Sequence, residues 1–205
     1  MSLLKNFFVP KKITSGYTNK SGNLAEVSDF FSSQNKTLVE MQQTHSANFT
    51  WVSSPSDKKI PDVDATLTTN PNLALTVRTA DCLPILLYHP SGILGVLHAG
   101  RKGTQQRILA KVLTHLKEEK NILTDLQLWF GPAICEACYQ IDRETNTHYN
   151  LIAENMAQAY SVFAAEDLLI TIDSSCTQCL SEEYHSYRVG QAAVQMNYAA
   201  ISLLK

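Results

Sequence analysis

The sequence predicts an α/β (α+β) fold, with mixed β-sheets flanked by helices in a single compact domain. Apolar, β-branched segments alternate along the chain with amphipathic segments of helical period. The length of 205 residues is that of one domain, and 44% hydrophobic with 18% charged residues is an ordinary globular composition. Because no repeat, linker or low-complexity segment interrupts the chain, one domain is expected over residues 1–205.

The strands of the first half are predicted from apolar runs between turn residues. Residues 1–40 are polar and weakly periodic, and KKITSGYTNKSGN (11–23) predicts turns between short strands. Three buried strands follow, in the order LALTVRT (73–79), CLPILLYH (82–89) and ILGVLHAG (93–100). The residues HPSG (89–92) predict a turn that joins the last two strands as a hairpin.

The second half alternates helices and strands. TQQRILAKVLTHLKEEK (104–120) has apolar residues at helical spacing, with Thr104 available as an N-cap and lysines near its end. This segment predicts one continuous helix. The remaining predicted elements are a strand at 126–132, a helix at 150–163, a strand at 168–173 and a C-terminal strand at 198–204.

The charge pattern and hydropathy argue against two classes of partner. The net charge is −2, from 17 basic and 19 acidic residues without a long block of either, so no nucleic-acid partner is expected. No run approaches the roughly 18 apolar residues of a membrane helix. The N-terminal MSLLKNFFVPKK (1–12) has its lysines mainly after the apolar stretch and no cleavage site, so we expect no signal peptide and a cytoplasmic protein.

One thiol and two imidazoles stand at positions where a metal site is possible. Cys82 begins one apolar run and His98 ends the next, and a hairpin places such ends side by side. His45, in QQTHSAN (42–48), is a candidate third ligand. Two imidazoles and a thiolate with an open fourth position form a catalytic zinc arrangement. The spacing alone leaves open that the three are ordinary core or surface residues.

The other four cysteines occur as CEAC (135–138) and CTQC (176–179). Two such pairs are typical of a four-cysteine zinc site, but the interval between them exceeds the roughly 15–20 residues of that pattern. Structural zinc, ordinary thiols and a transient disulfide therefore stay open as alternatives.

Seven motifs, in order, resemble those of the laccase-domain family, formerly named multicopper polyphenol oxidase. They are QTH (43–45), DA (64–65), TADCLPI (79–85), HAGxxGT (98–104), GPxIxxxCY (131–139), CT (176–177) and SYR (186–188). Members of this family resemble zinc-dependent purine nucleoside phosphorylases that also deaminate adenosine. The resemblance implies zinc, with copper less favoured, bound by His45, Cys82 and His98. It also places Cys138 and Cys176 where members carry cysteines that are not catalytic ligands.

The resemblance further implies a purine nucleoside, such as adenosine or inosine, and phosphate as substrates. Phosphorolysis yields the base and ribose 1-phosphate, and the candidate phosphate-binding residues are Arg78, Lys102 and Arg188. For proton transfer in deamination we consider Asp81 and Asp64, although for Asp81 we favour a role in positioning a ligating histidine. Asp64 is also counted among the substrate-binding candidates. If residues 43–45 form a strand, Gln43 lies on the same face as His45, and it is expected to contact base or ribose.

Two motifs depart from the family pattern. HAGRKG replaces the usual HAGWRG, which removes an aromatic residue and places Lys102 where arginine is expected. Lysine is a point charge that cannot bind phosphate in a bidentate manner. SYRV replaces SYRR, which leaves Arg188 without an arginine neighbour.

Three other functions are compatible with the sequence. A copper polyphenol oxidase needs several copper sites, which six histidines without an HxH pattern do not easily supply. A metal-free cysteine hydrolase needs only Cys82 as nucleophile and His98 as base. A non-catalytic nucleoside-binding paralogue is compatible with the altered phosphate residues. The sequence leaves the oligomeric state open.

Overall fold

Two mixed β-sheets form the centre of the molecule, which is described here by a computed structural model over residues 7–8, 12–56, 58–190 and 195–204. The strands are β1 Ile13–Tyr17, β2 Thr37–Val39, β3 Phe49–Trp51, β4 Ala65–Thr68, β5 Leu73–Thr79, β6 Leu83–His89, β7 Ile93–Ala99, β8 Leu126–Phe130, β9 Gln140–Asp142, β10 Thr147–His148, β11 Leu168–Ile172 and β12 Asn197–Leu203. The helices are α1 Leu24–Ser32, α2 Arg101–Gln105, α3 Ile108–Glu119, α4 Leu151–Tyr160 and α5 Tyr187–Gly190.

Strand pairing divides these elements into a six-stranded and a four-stranded sheet. The larger sheet has the order β11-β8-β6-β7-β4-β3, and the smaller has the order β1-β12-β5-β2. Both contain parallel and antiparallel pairs, while β9 and β10 form a separate antiparallel pair. The predicted α+β fold with mixed sheets in a single compact domain is therefore confirmed.

Side-chain alternation along the strands produces two main hydrophobic layers. In β6, Leu83, Ile85 and Leu87 pack into the cluster that contains α3 and α4. Leu86 and Tyr88 point to the opposite face and pack with residues of the four-stranded sheet. Since successive residues of a strand face opposite sides, this one strand joins both layers. The outer face of the smaller sheet is covered by α1, which contributes two buried residues to a third cluster.

The predicted hairpin between the second and third buried strands is confirmed. β6 and β7 are antiparallel, with Leu83 opposite Ala99 and Pro84 opposite His98. The turn places Gly92 at φ +92°, with its N–H bonded to the carbonyl of His89. This register brings Cys82, which immediately precedes β6, next to the end of β7.

The N-terminal part contains more structure than the sequence analysis predicts. The segment predicted as turns between short strands includes all of β1, and α1 follows it. Asn23 caps α1 by accepting a hydrogen bond from the backbone N–H of Glu26. With only two buried residues, α1 has a weak periodic signal in the sequence. The proposed absence of a signal peptide concerns residues 1–12, most of which lie outside the described residues.

The predicted continuous helix over 104–120 is wrong, because the chain breaks at Arg107. Arg107 has φ 64° and separates α2 from α3. Thr104 is not an N-cap but is buried in α2, where its hydroxyl accepts a hydrogen bond from Asn155. The Gln158 side chain accepts from the N–H of Ala110 at 3.2 Å and donates to the carbonyl of Thr104 at 2.7 Å. A residue of α4 thus satisfies backbone groups at the break.

None of the described helices is both long and apolar enough to cross a bilayer.

We predict that Gln158→Ala lowers the free energy of unfolding by about 1–3 kcal/mol, because it leaves the buried N–H of Ala110 without its acceptor. Chemical denaturation measures this as a lower midpoint at unchanged slope. Gln105→Ala, which removes an exposed glutamine of α2, is the matched control and is expected to unfold like the wild type. Equal midpoints for the two variants would show that Gln158 does not support the break.

Candidate functional site

A cavity of about 540 Å³ lies where β5 ends, β6 begins and β7 ends. Its walls include the three candidate metal ligands and several cationic side chains. The lining residues are Gln43, His45, Arg78, Thr79, Ala80, Asp81, Cys82, His98, Arg101, Lys102, Tyr139, Tyr187, Arg188 and Met196. All three metal ligands implied by the sequence resemblance therefore lie at one cavity.

The three candidate ligands converge within bonding range of a single ion. One ligand atom each from His45, Cys82 and His98 lies within 4.8 Å of the others. The two imidazole rings are 4.7 Å apart between centroids and nearly perpendicular. His98 is buried, Cys82 is half-buried and His45 is exposed, so the cluster has a protein side and an open side.

Asp64 organises the protein side of this cluster. Its carboxylate accepts from His98 Nδ1 at 2.7 Å and from the backbone N–H groups of Thr44, His45 and Ser46 at 3.1, 3.0 and 2.7 Å. This bond leaves Nε2 of His98 as its potential ligand atom. Burial alone would raise the pKa of Asp64, but hydrogen bonds from His98 and Ser46 lower it below its ordinary value.

The expectation that Asp64 contacts substrate is therefore corrected. Asp64 has no exposed surface and lies behind the ligands, where protein groups occupy both carboxylate oxygens. From this position Asp64 orients the imidazole of His98 and holds the loop that carries His45, and both histidines are candidate ligands.

The two glycines of the HAGxxG motif permit close packing around the ligands. A Cβ added to Gly100 would lie 2.9 Å from Cys82 Sγ and 3.0 Å from His45 Cδ2. A Cβ added to Gly103 would lie 2.7 Å from the carbonyl oxygen of Ser46. Any side chain at these positions would displace the loops that carry the candidate ligands. The close packing of the site therefore explains why both positions are glycine.

The electrostatics of the cluster favour a cation. Burial alone would raise the pKa of the Cys82 thiol, but the imidazoles of His98 and His45 lower it to about 6. Burial alone would lower the pKa of His98, but Cys82 and Asp64 raise it to about 9. A thiolate and a carboxylate thus flank one imidazole, and a divalent cation is suited to neutralise these two negative charges. The donor set and its charge therefore fit a bound metal ion.

The backbone is strained at one candidate ligand, His45, and at Asp81, which immediately precedes the candidate ligand Cys82. His45 has φ 61° and Asp81 has φ 85°, a region that residues other than glycine seldom adopt. The carboxylate of Asp81 accepts from the hydroxyl of Thr177 at 2.7 Å and from the N–H of Arg188 at 2.8 Å. Asp81 thus fixes two cavity loops, and neither of these contacts is to a ligating histidine, which corrects the role that we favour for it from the sequence.

Gln43 is placed at the cavity, but its amide is engaged by the backbone. Its Nε2 donates to the carbonyl of Arg78 at 2.8 Å, and its Oε1 accepts from the N–H of Arg78 at 3.0 Å. These bonds fasten the segment before His45 to β5. Contact between Gln43 and a base or ribose stays a prediction.

Four cations surround the cavity, and the sequence analysis identifies three of them, Arg78, Lys102 and Arg188. Arg101 is the fourth, overlooked because the comparison with HAGWRG treats this position only as a lost aromatic residue. None of the four has an ion-pair partner among the described residues. Arg188 donates to the carbonyl of Gln140 at 2.8 Å and lies over the ring of Tyr139 at 5.2 Å. The cavity therefore offers unpaired positive charge to an anion.

Comparisons with known structures support the fold. The crystal structure of YlmD from Geobacillus stearothermophilus superposes with a TM-score of 0.83 at 21% identity, covering 95% of this chain and 93% of that chain. The crystal structure of Bacillus licheniformis hypothetical protein YfiH gives a TM-score of 0.81 at 20% identity, covering 93% and 92%.

Sequence comparisons identify more similar relatives. A protein named purine nucleoside phosphorylase from Rickettsia prowazekii is 34% identical over 123 residues, which are 58% of this chain and 48% of the relative. Another of that name from Streptomyces coelicolor is 37% identical over 109 residues, 52% and 45% of the two chains. The aligned part spans about half the length of these curated relatives. The family described as multi-copper polyphenol oxidoreductase laccase matches residues 18–202, and the chain belongs to this family.

Proposed function

We propose that this chain is a zinc-dependent purine nucleoside phosphorylase that cleaves nucleosides such as inosine and adenosine with phosphate. The observation that carries the proposal is a cluster of three candidate ligands at a cavity with four cations, none of which has an ion-pair partner in the described part of the chain. The names of the relatives from Rickettsia prowazekii and Streptomyces coelicolor support the same activity.

The donor set favours zinc over a multicopper centre. Two imidazoles and one thiolate with an open position match the protein ligands of catalytic zinc sites. Among residues 7–8, 12–56, 58–190 and 195–204, the other cluster of potential ligands consists of four cysteines and contains no histidine. A multicopper oxidase needs further copper sites, for which these residues offer no histidine cluster.

The cavity residues account for how phosphorolysis is assisted. In this reaction a phosphate oxygen attacks the anomeric carbon while the bond to the purine breaks and the base leaves with the electron pair. Arg78, Arg101, Lys102 and Arg188 bind and orient the phosphate, which holds the nucleophile close to that carbon. When bound, zinc supplies Lewis acidity at its open position.

Two tyrosines are suited to the nucleoside. Tyr139 and Tyr187 line the cavity and offer flat surfaces against which a purine or ribose packs. Burial raises the pKa of Tyr139, so its hydroxyl stays protonated as a hydrogen-bond donor. The cavity volume of about 540 Å³ lies within the usual range for small-molecule sites.

The structure favours phosphorolysis over adenosine deamination. A zinc deaminase needs a carboxylate that transfers protons near the attacked carbon. Asp81 is the one carboxylate among the described residues that line the cavity, and Thr177 and Arg188 already engage its two oxygens. The proposal therefore leaves deamination out, and the assay below detects it as inosine formed from adenosine.

We predict that inosine or adenosine incubated with the purified protein gives the free base and ribose 1-phosphate only when phosphate is present. Chromatography of the reaction mixture measures both products. A zinc chelator is expected to abolish them, and added zinc to restore them, because the ligand cluster is needed for the reaction.

The same assay distinguishes the alternatives. Free base formed without phosphate would indicate a hydrolase, and turnover that resists the chelator would favour Cys82 as a metal-free nucleophile. Inosine formed from adenosine as the sole product would indicate a deaminase. Nucleoside binding without turnover would identify a non-catalytic paralogue, and each of these four results contradicts the proposal.

We predict that Asp64→Asn weakens zinc binding about 10- to 100-fold, because an amide cannot accept all the hydrogen bonds that the carboxylate receives from His98 and the 44–46 loop. Competition with a chromophoric chelator measures the affinity. Asp29→Asn, which alters an exposed carboxylate of α1 that does not line the cavity, is the control and is expected to bind zinc normally. Equal affinities for the two variants would contradict the role given to Asp64.

We predict that Lys102→Ala raises the KM for phosphate about tenfold, with a smaller effect on the KM for nucleoside, because one charge-assisted contact worth about 1.5 kcal/mol is lost. Steady-state kinetics with each substrate varied in turn provides the measurement. Lys111→Ala removes an exposed lysine of α3 that does not line this cavity and serves as the control. An unchanged KM for phosphate in Lys102→Ala would place the phosphate elsewhere.

A further inference from the structure

The four cysteines outside the cavity form a compact cluster. One sulfur each from Cys135, Cys138, Cys176 and Cys179 lies within 4.8 Å of the others. All four are free thiols, and the sulfurs of Cys138 and Cys179 are 3.5 Å apart. The distances between these sulfurs therefore bear on the three alternatives that the sequence leaves open, which are structural zinc, ordinary thiols and a disulfide.

Strand pairing explains why the long interval between the two CxxC pairs does not separate them. β8 and β11 are parallel neighbours with Phe130 opposite Ile172, and α4 lies between them in the chain. A parallel pair needs such a crossover, which consumes the intervening residues. Both CxxC segments therefore follow the same ends of adjacent strands.

Backbone bonds beyond the strands hold the two segments together. Ala133 and Cys176 form a parallel bridge, and the N–H of Thr177 donates to the carbonyl of Ala133 at 3.2 Å. The first CxxC closes as a tight turn, with the N–H groups of Cys138 and Tyr139 donating to the carbonyl of Cys135. The cysteines are thus presented by fixed backbone.

The sulfur spacing is compatible with one bound ion, and the 3.5 Å between the sulfurs of Cys138 and Cys179 is too long for a disulfide between them. Zinc bound to four thiolates at about 2.3 Å requires sulfurs roughly 3.8 Å apart, whereas a disulfide requires about 2.05 Å. The sulfur of Cys176 also accepts hydrogen bonds from the N–H groups of Cys135 and Cys179 at 3.3 and 3.4 Å. Backbone donors of this kind stabilise a thiolate and orient it as a metal ligand.

We propose that Cys135, Cys138, Cys176 and Cys179 bind a second zinc ion in a closed, structural site. This site is separate from the His45–Cys82–His98 cluster and does not depend on the proposed phosphorolysis.

The second site is connected to the cavity through the residues that follow two of its cysteines. Tyr139, next to Cys138, lines the cavity and lies under the guanidinium of Arg188. Thr177, next to Cys176, donates to the carboxylate of Asp81. A zinc ion that links the two CxxC segments therefore fixes one wall of the cavity, in the manner of a structural zinc that stabilises a local fold.

Elemental analysis of the purified full chain, expressed with added zinc and desalted under reducing conditions, tests the proposal. We expect two zinc ions per chain in the wild type and one in each of two variants, Cys82→Ala and the double variant Cys138→Ser with Cys179→Ser. Native mass spectrometry of the wild type gives the same count without any substitution.

Cobalt substitution identifies the ligands of the retained ion. The Cys82→Ala protein is expected to show the visible absorption of tetrahedral cobalt bound to four thiolates, and the double variant is expected to lack it. One zinc ion in the wild type together with none in Cys82→Ala would overturn the proposal. A wild type that retains no metal at these cysteines and, when prepared without reductant, has only three of its five thiols open to alkylation would overturn it in favour of a disulfide.

Discussion

The carboxylate of Asp64 has no contact with solvent, yet it receives hydrogen bonds from the imidazole of one candidate ligand and from the backbone of another. A buried charge is costly unless it is fully paired, so the loop that carries His45 and the strand that carries His98 are both held in place by this one group. The same bonds compensate the unfavourable φ of His45. Formation of the metal-ligand cluster is therefore coupled to folding itself.

The layered fold leaves the ends of its central strands free to build the site. β6 and β7 are covered by helices on one face and by the second sheet on the other, which restricts polar side chains to the strand ends. The candidate ligands Cys82 and His98 lie just before β6 and near the end of β7, whereas the two CxxC segments follow the β8–β11 pair. Adjacent strand pairs of one sheet thus present two groups of potential metal ligands, and residues 139 and 177 connect these groups.

Local patterns predicted the parts of the structure that depend on neighbouring residues. The buried strands at 73–79, 82–89 and 93–100, and the hairpin between the last two, follow from apolar runs and turn residues, and they alone place Cys82 near His98. The third candidate ligand, His45, joins them only through tertiary contacts. The family motifs anticipate it, but spacing gives no reason to prefer it over the other histidines.

What the sequence analysis missed depends on contacts between distant segments. The break at Arg107 is stabilised by Gln158 of another helix, and the role of Asp64 depends largely on backbone N–H groups, which leave no pattern of side chains. The separation of the CxxC pairs argues against a shared site until the parallel pairing of β8 and β11 is known. At Arg101 the family pattern draws attention to the missing aromatic residue, and the added positive charge gains significance only from its place at the cavity.

Zinc-edge anomalous diffraction from crystals grown with zinc tests the central claim most directly, since it locates the ion without reference to activity. The account predicts an anomalous peak about 2.0–2.3 Å from Cys82 Sγ and from one imidazole nitrogen each of His45 and His98, with Asp64 still bonded to His98 Nδ1. The absence of a peak there, with Cys82 hydrogen-bonded directly to His98 in its place, would contradict the account.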